Sequence, residues 1–233
     1  MKEGTISVKK KLHTYKKLNY VIATPDDFDN GKKYPTVIFL HGSGTRGSDP
    51  TILLNHGYFD QTGALGYDAV FVAPQCNSDS WFDIHEQLID FAEFVASCDF
   101  VDEDRVYLMG ASMGGYATWQ LAISRPDLFA AIVPICGGGT YWNACRLCGM
   151  GVWAVHGAKD DAVFPEESVK MVDAINAAGG KARLTMLENV GHGSWDFAYS
   201  SREIHDWMFS HRRDHGNSFE DADSMYNDPA IYG

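Results

Sequence analysis

Two kinds of segment alternate along this chain. Short apolar runs recur from the first third of the sequence to its last third, and polar or amphipathic stretches separate them. A short apolar run bounded by turn residues is typical of a buried strand. The predicted strands are 36–40, 69–73, 105–109, 130–135, 151–155 and 182–187. Two earlier segments, 5–12 and 18–24, alternate in the manner of exposed strands.

Apolar residues at helical spacing occupy several of the intervening stretches. Ile84, Leu88 and Phe91 begin such a series, which predicts an amphipathic helix over 84–100. Further helices are predicted at 116–124, 165–178 and 200–209. Strands that alternate with helices favour the α/β class, with a mostly parallel central sheet and helices on both faces. We therefore expect one domain over 1–213, followed by an acidic, flexible tail over 214–233.

Composition narrows the function classes further. The chain has 233 residues, 45% of them hydrophobic, and a formal net charge of -12. An acidic chain is poorly suited to bind nucleic acid or an anionic membrane surface, so neither partner is expected. The five cysteines are an odd number, and the first residues have no apolar run like that of a signal peptide. A cytoplasmic location is therefore expected, and a homo-oligomer remains open.

The most informative segment joins the strand predicted at 105–109 to the helix predicted at 116–124. It reads Gly110-x-Ser112-x-Gly114, the pattern of a serine on a sharp turn between a strand and a helix. Such a serine adopts strained backbone angles, and side chains two residues before and after it would collide. Glycine at both places removes the collision. The sequence therefore predicts Ser112 as a nucleophile.

A serine nucleophile needs a base to take its proton and an acid to orient that base. His192 lies in a glycine-flanked loop after the strand predicted at 182–187, and Asp160 follows the strand predicted at 151–155. The carboxyl ends of parallel strands meet at one edge of the sheet, where active sites collect. We therefore predict His192 as the base and Asp160 as the acid. Asp161 is the alternative acid, because adjacent side chains point apart and only one can contact the histidine.

Acyl transfer also needs two N–H groups that hold the negative oxygen of the intermediate. The residue after the nucleophile, Met113, supplies one of them in this kind of turn. The loop after the strand predicted at 36–40 supplies the other. We assign it to the backbone of Ser43, with Gly44 as the alternative.

Four motifs together resemble one family. They are His41-Gly-Ser-Gly44, Gly110-Ala-Ser-Met-Gly-Gly115, His156-Gly-Ala-Lys-Asp160 and Gly191-His192. The chain resembles an α/β-hydrolase of the small bacterial carboxylesterase type, the neighbourhood of phospholipase/carboxylesterases and dienelactone hydrolases. The resemblance implies the α/β-hydrolase fold without a lid domain, and it places the acid at the fifth position of the His-Gly-x-x-Asp turn, which is Asp160. It also implies a serine esterase acting on small or soluble carboxylic esters, with short acyl, aryl (such as feruloyl) or acetylated-sugar groups.

Two alternatives to this function remain. The same three residues could serve a peptidase or a thioesterase, or the fold could be a non-catalytic binding protein. The complete set of a serine, an acid, a histidine and two donor loops favours an enzyme. Its expected partner is a small-molecule ester.

Other residues beside the motifs are candidates for substrate contact or metal binding. Trp81, Trp142 and Trp195 lie next to motif residues and are candidates for an aromatic wall of the cleft. Cys145-x-x-Cys148 has the spacing of a zinc or redox pair, but no second pair accompanies it. We therefore expect no metal and no organic cofactor.

Overall fold

The computed structural model describes residues 8–29 and 31–215. Of the predicted tail, residues 216–233 lie outside this part. Eight strands form one sheet: β1 (Lys9–Tyr15), β2 (Leu18–Thr24), β3 (Tyr34–Leu40), β4 (Val70–Pro74), β5 (Val101–Ala111), β6 (Ala131–Ile135), β7 (Gly151–Gly157) and β8 (Arg183–Leu187). Their order across the sheet is β1-β2-β4-β3-β5-β6-β7-β8.

The sheet is mostly parallel, as expected. β1 pairs antiparallel with β2, and β2 pairs antiparallel with β4. Every pairing from β4 through β3, β5, β6 and β7 to β8 is parallel. β3 and β5 therefore lie at the centre of the sheet. Their carboxyl ends carry the loop at Ser43 and the turn at Ser112.

Seven helices cover the sheet within the described residues: α1 (Pro50–Leu54), α2 (Gly57–Gly63), α3 (His85–Ala96), α4 (Met113–Ser124), α5 (Glu166–Ala177), α6 (Trp195–Ser200) and α7 (Arg202–Ser210). Two hydrophobic clusters divide them between the two faces. Buried residues of α3, α4 and α5 share one cluster, whereas those of α1, α2, α6 and α7 share the other. Helices on both faces confirm the predicted fold class.

Several predicted bounds change in the structure. The strand predicted at 5–12 is observed from Lys9 to Tyr15, and residues 5–7 lie outside the described part. β5 includes Asp102 and Asp104, which precede the strand predicted at 105–109. Arg105 Nε donates to Asp102 Oδ2 at 2.6 Å, so an ion pair stabilises this polar part of the strand next to the buried Val101.

The connection between β6 and β7 carries no lid. It contains a 3₁₀ helix, Tyr141–Leu147, and all of its residues are described. This connection lies between Ser112 and Asp160 in the chain, and its lack of a lid agrees with what the resemblance implies. None of the helices in the described part has the length and apolar character needed to cross a bilayer.

Candidate active site

Ser112 stands at the junction of β5 and α4 in a strained conformation. Its φ is 56° and its ψ is -117°, in the left-handed half of backbone space that side chains rarely adopt. The glycines on either side permit this turn for a steric reason. A Cβ added to Gly110 would lie 2.3 Å from the carbonyl oxygen of Gly114, and one added to Gly114 would lie 1.9 Å from that of Leu40.

Three side chains predicted from separate parts of the sequence meet at this turn. His192 Nε2 lies 2.8 Å from Ser112 Oγ, and His192 Nδ1 lies 2.8 Å from Asp160 Oδ2. With the serine hydroxyl donating to Nε2, the imidazole proton is on Nδ1 and is donated to the carboxylate. This hydrogen-bonded chain has the order hydroxyl, imidazole, carboxylate.

The carboxylate of Asp160 is fixed on both oxygens. Oδ1 accepts hydrogen bonds from the backbone N–H groups of Ala162 and Val163, at 3.0 and 2.9 Å. Burial raises the pKa of Asp160, but the hydrogen bonds from His192 and from the two backbone groups outweigh it, so the pKa falls below its ordinary value of 3.8. Asp160 is therefore ionised at neutral pH. Asp161 is exposed, and the carboxylate that is hydrogen-bonded to His192 is that of Asp160.

A second histidine, His156, also contacts the carboxylate of Asp160. His156 is fully buried, and its Nε2 lies 3.2 Å from Asp160 Oδ2 and 2.9 Å from the carbonyl oxygen of Val163. Its Nδ1 lies 2.8 Å from Ser168 Oγ, whose hydroxyl donates to the carbonyl oxygen of Gly137. These contacts hold the turn after β7 against α5, so His156 is a scaffold residue.

The two predicted oxyanion donors lie at the starts of helical turns. Met113 is the first residue of α4, and Ser43 is the first residue of a 3₁₀ helix, Ser43–Thr45. N–H groups in a first turn have no partner within their own helix, so both can point at an anion. The two loops approach each other closely at Gly42. A Cβ added to this glycine would lie 3.6 Å from Ser112 Cβ.

His41 fixes the loop that carries Ser43. Its Nε2 accepts the backbone N–H of Cys76 at 3.0 Å, and its Nδ1 donates to the carbonyl oxygen of Gly42 at 2.7 Å. Burial lowers the pKa of His41 to about 4, so the ring is neutral, as these two bonds require. His41 therefore ties the loop after β3 to the segment after β4.

Only one of the three predicted tryptophans lines the cleft. Trp195 does so, with its ring edge-on to His192 at 5.2 Å between centroids. Trp81 is 1% exposed and donates to the carbonyl oxygen of His41 at 3.0 Å, which corrects the expectation that it faces substrate. Trp142 is 61% exposed on the 3₁₀ helix after β6 and also does not line the cleft, a second correction.

The cleft above Ser112 has a volume of about 410 Å³. Besides Trp195, six of the fourteen residues that line it come from α2, the residue before it, and α6, and the sequence did not predict them. The residues concerned are His56, Gly57, Tyr58, Gln61, Asp196 and Tyr199.

One group of three possible metal ligands occurs within residues 8–29 and 31–215. It consists of Cys136, Asp160 and His192, whose ligand atoms lie within 4.8 Å of one another. Asp160 and His192 already share a hydrogen bond, and burial raises the pKa of Cys136 to about 12, so its thiol is protonated at neutral pH. Cys145 and Cys148 gather no third ligand in the described part. This geometry suits proton transfer better than metal coordination.

Comparisons with known proteins agree with the fold and with hydrolase chemistry. Residues 83–142 match the model of the prolyl oligopeptidase family. The chain is 24% identical to dipeptidyl-peptidase 5 of Schizosaccharomyces pombe over 83% of its own length and 35% of that protein. It therefore spans about a third of that curated relative.

Two solved structures are similar over most of the chain. A thermostable esterase has a TM-score of 0.75 and is 30% identical, with 90% of this chain and 64% of that chain covered. A ferulic acid esterase has a TM-score of 0.68 and is 16% identical, with 88% and 98% covered, which shows a common fold. Peptidases and esterases thus both occur among the similar proteins.

Proposed function

This chain has the α/β-hydrolase fold, and we propose that it is a serine esterase that cleaves small or soluble carboxylic esters. The observation that supports this proposal best is the chain of two 2.8 Å contacts from Ser112 through His192 to Asp160. The acyl groups proposed are short chains, aryl acids such as ferulic acid, and acetyl groups on sugars.

Each residue has a distinct part in the proposed reaction. Ser112 Oγ attacks the ester carbonyl carbon while His192 Nε2 takes the hydroxyl proton. Asp160 keeps the other ring proton on Nδ1 and stabilises the imidazolium that forms. The N–H groups of Met113 and Ser43 hold the negative oxygen of the tetrahedral intermediate, and each such donor contributes roughly 3 kcal/mol to transition-state stabilisation.

The intermediate then breaks down in two stages. His192 returns its proton to the departing alcohol, which leaves an acyl group on Ser112. A water molecule then attacks the acyl carbonyl carbon while His192 takes one of its protons. His192 passes this proton to Ser112 Oγ as the bond from the acyl group to the serine breaks. The acid is released and Ser112 recovers its hydroxyl.

An ester is favoured over an amide by the similarity to the thermostable esterase, which covers 90% of the chain at 30% identity. The match of residues 83–142 to the prolyl oligopeptidase family favours a peptidase as the second candidate. The same nucleophile would serve either reaction. The two differ in the leaving group, so an ester and an amide substrate separate them.

Two measurements test the proposal. A fluorophosphonate probe should phosphonylate the wild-type protein once, with Ser112 Oγ displacing fluoride so that the protein gains the mass of the probe less HF, and Ser112→Ala should abolish this addition. The protein should then hydrolyse unactivated esters such as methyl ferulate and should leave dipeptide p-nitroanilides, which are peptidase substrates, uncleaved. No labelling would reject a serine hydrolase, and faster cleavage of peptide amides would favour the peptidase.

A further inference from the structure

The wall of the cleft formed by the start of α2 and by α6 carries polar groups that the proposed reaction does not use. They belong to His56, Gln61 and Asp196, and Trp195 completes this wall. None of the four forms a hydrogen bond with Ser112, His192 or Asp160 in the structure. Their chemistry therefore indicates which part of a bound ester substrate lies next to the bond that is cleaved.

His56 offers a hydrogen-bond donor. Its Nδ1 accepts the backbone N–H of Tyr58 at 3.2 Å and so caps α2. Burial lowers the pKa of His56, so the ring is neutral at neutral pH. With Nδ1 accepting, the single ring proton is on Nε2. This N–H has no hydrogen-bond acceptor among the described residues.

Gln61 and Asp196 offer acceptors. Gln61 Nε2 donates to Asp196 Oδ1 at 3.3 Å, which links α2 to α6 across the cleft wall. The amide oxygen of Gln61 and the second carboxylate oxygen of Asp196 have no protein donor in the described part of the chain. The wall therefore combines one free donor with at least two free acceptors.

The negative charge of Asp196 on this wall disfavours anionic substrates. Among the described residues that line the cleft, Asp196 is the only one with an acidic or permanently charged side chain. Arg46 does not line the cleft, and its guanidinium donates to the carbonyl oxygens of Ser43 at 2.9 Å and Asp79 at 2.6 Å. A carboxylate or phosphate bound at this wall would lie against the negative charge of Asp196.

We infer that His56, Gln61, Asp196 and Trp195 form a subsite for the neutral, polyhydroxylated alcohol of an acylated sugar. Sugar hydroxyls both donate and accept, so they satisfy the free donor and the free acceptors together, whereas an alkyl or aryl alcohol leaves them unpaired. Trp195 supplies an aromatic surface for the C–H face of the ring. A cleft of about 410 Å³ is in the size range of small-molecule sites. This inference rests on the proposed esterase function.

The test compares two esters of acetic acid. The first is a monoacetylated methyl glucoside, and the second is p-nitrophenyl acetate, which has no hydroxyl groups to bind. His56→Asn removes the Nε2–H donor while asparagine still caps α2. Asp196→Ala removes the acceptors. In each variant, the ratio of kcat/KM for the glucoside to kcat/KM for p-nitrophenyl acetate should fall about tenfold.

A matched control and a second substrate sharpen the result. Asp173→Ala removes an exposed carboxylate from α5, which does not line the cleft, and should leave the ratio unchanged. The wild-type protein should prefer the acetylated glucoside to the corresponding acetylated methyl glucuronide, which is anionic. An unchanged ratio in both cleft variants, a preference for the glucuronide, or a preference for aminoacyl esters would overturn the inference.

Binding can be measured without turnover. In Ser112→Ala, the acetylated glucoside should change the tryptophan fluorescence in a saturable way, and addition of Asp196→Ala should weaken that binding about tenfold. If the wild-type protein hydrolyses no ester, the proposed function fails, and this titration still decides whether the sugar subsite exists. Absence of saturable binding would reject the subsite alone.

Discussion

The carboxylate of Asp160 contacts His192 at 2.8 Å, whereas Asp161, its neighbour in the chain, is exposed. Two adjacent acidic residues in one turn thus have different environments. The backbone N–H groups of Ala162 and Val163 account for part of the difference, because they hold Asp160 in the position that meets the imidazole.

This pair provides an internal control for catalysis. Asp160→Asn should lower kcat for p-nitrophenyl acetate on the order of 10,000-fold, because the amide favours the wrong imidazole tautomer. Asp161→Asn changes the same functional group one residue away and should leave kcat nearly unchanged. Steady-state kinetics on both variants, with circular dichroism to verify folding, makes the comparison. Equal losses in the two variants would contradict the assignment of the acid.

The glycines around Ser112 should differ sharply from a nearby glycine in their tolerance of a methyl group. Gly114→Ala places a Cβ 1.9 Å from a backbone oxygen of β3, so we expect a loss of about 3 kcal/mol or more in the free energy of unfolding. Gly193→Ala meets nothing within 4 Å and should change this free energy by less than about 0.5 kcal/mol. Urea unfolding measures both. Similar free energies of unfolding for the two variants would contradict the close approach of α4 to β3.

Trp195 and Trp142 form a second matched pair. Trp195→Ala removes the ring that lines the cleft and contacts His192, so kcat/KM for an acetylated sugar should fall about tenfold. Trp142→Ala removes an exposed ring outside the cleft and should have no effect on kcat/KM. A larger loss in Trp142→Ala would mean that substrate lies against the 3₁₀ helix after β6 instead.

The buried ring of His41 should make stability depend on pH. Its pKa is about 4 in the folded protein and close to 6.5 when unfolded, so the unfolded chain takes up the proton first on acidification. The contribution of His41 to the free energy of unfolding is fully present above pH 6.5. It is lost progressively as the pH falls from there to about 4, and the total loss is about 3 kcal/mol.

The measurement is a series of urea unfolding curves across that pH window for the wild type and for His41→Gln. Other histidines with pKa values lowered by burial, such as His56 and His205, titrate in both proteins and cancel in the difference. The variant should therefore show a shallower decline in the free energy of unfolding. Parallel declines would mean that His41 does not titrate in this way.

The central strands of the sheet could be predicted from the sequence because each of them is a continuous apolar run. The runs at 36–40 and 69–73, for example, correspond to the buried strands β3 and β4. The polar start of β5 was not predicted, because Asp102 and Arg105 are stabilised there by their ion pair, and periodicity carries no information about such a contact.

The residues brought together at Ser112 were predictable because each carries a local constraint. Gly110 and Gly114 are required by the turn itself, and the loops of Asp160 and His192 follow apolar strands. The cleft wall has no comparable signal. α2 and α6 are only seven and six residues long, too short for a helical period to emerge, and their packing against each other depends on the whole fold.

The residues proposed to bind the alcohol and the residues proposed to cleave the ester therefore lie in different segments of the chain. The groups proposed to break the ester are anchored at the ends of β5, β7 and β8, while three of the four side chains proposed to select the alcohol lie within the short helices α2 and α6. Substitutions in these short helices can exchange one alcohol preference for another and leave the proton-transfer geometry intact. Divergence among copies of such a gene would accordingly concentrate in residues 56–63 and 195–200, which are also the segments to randomise when a new selectivity is sought.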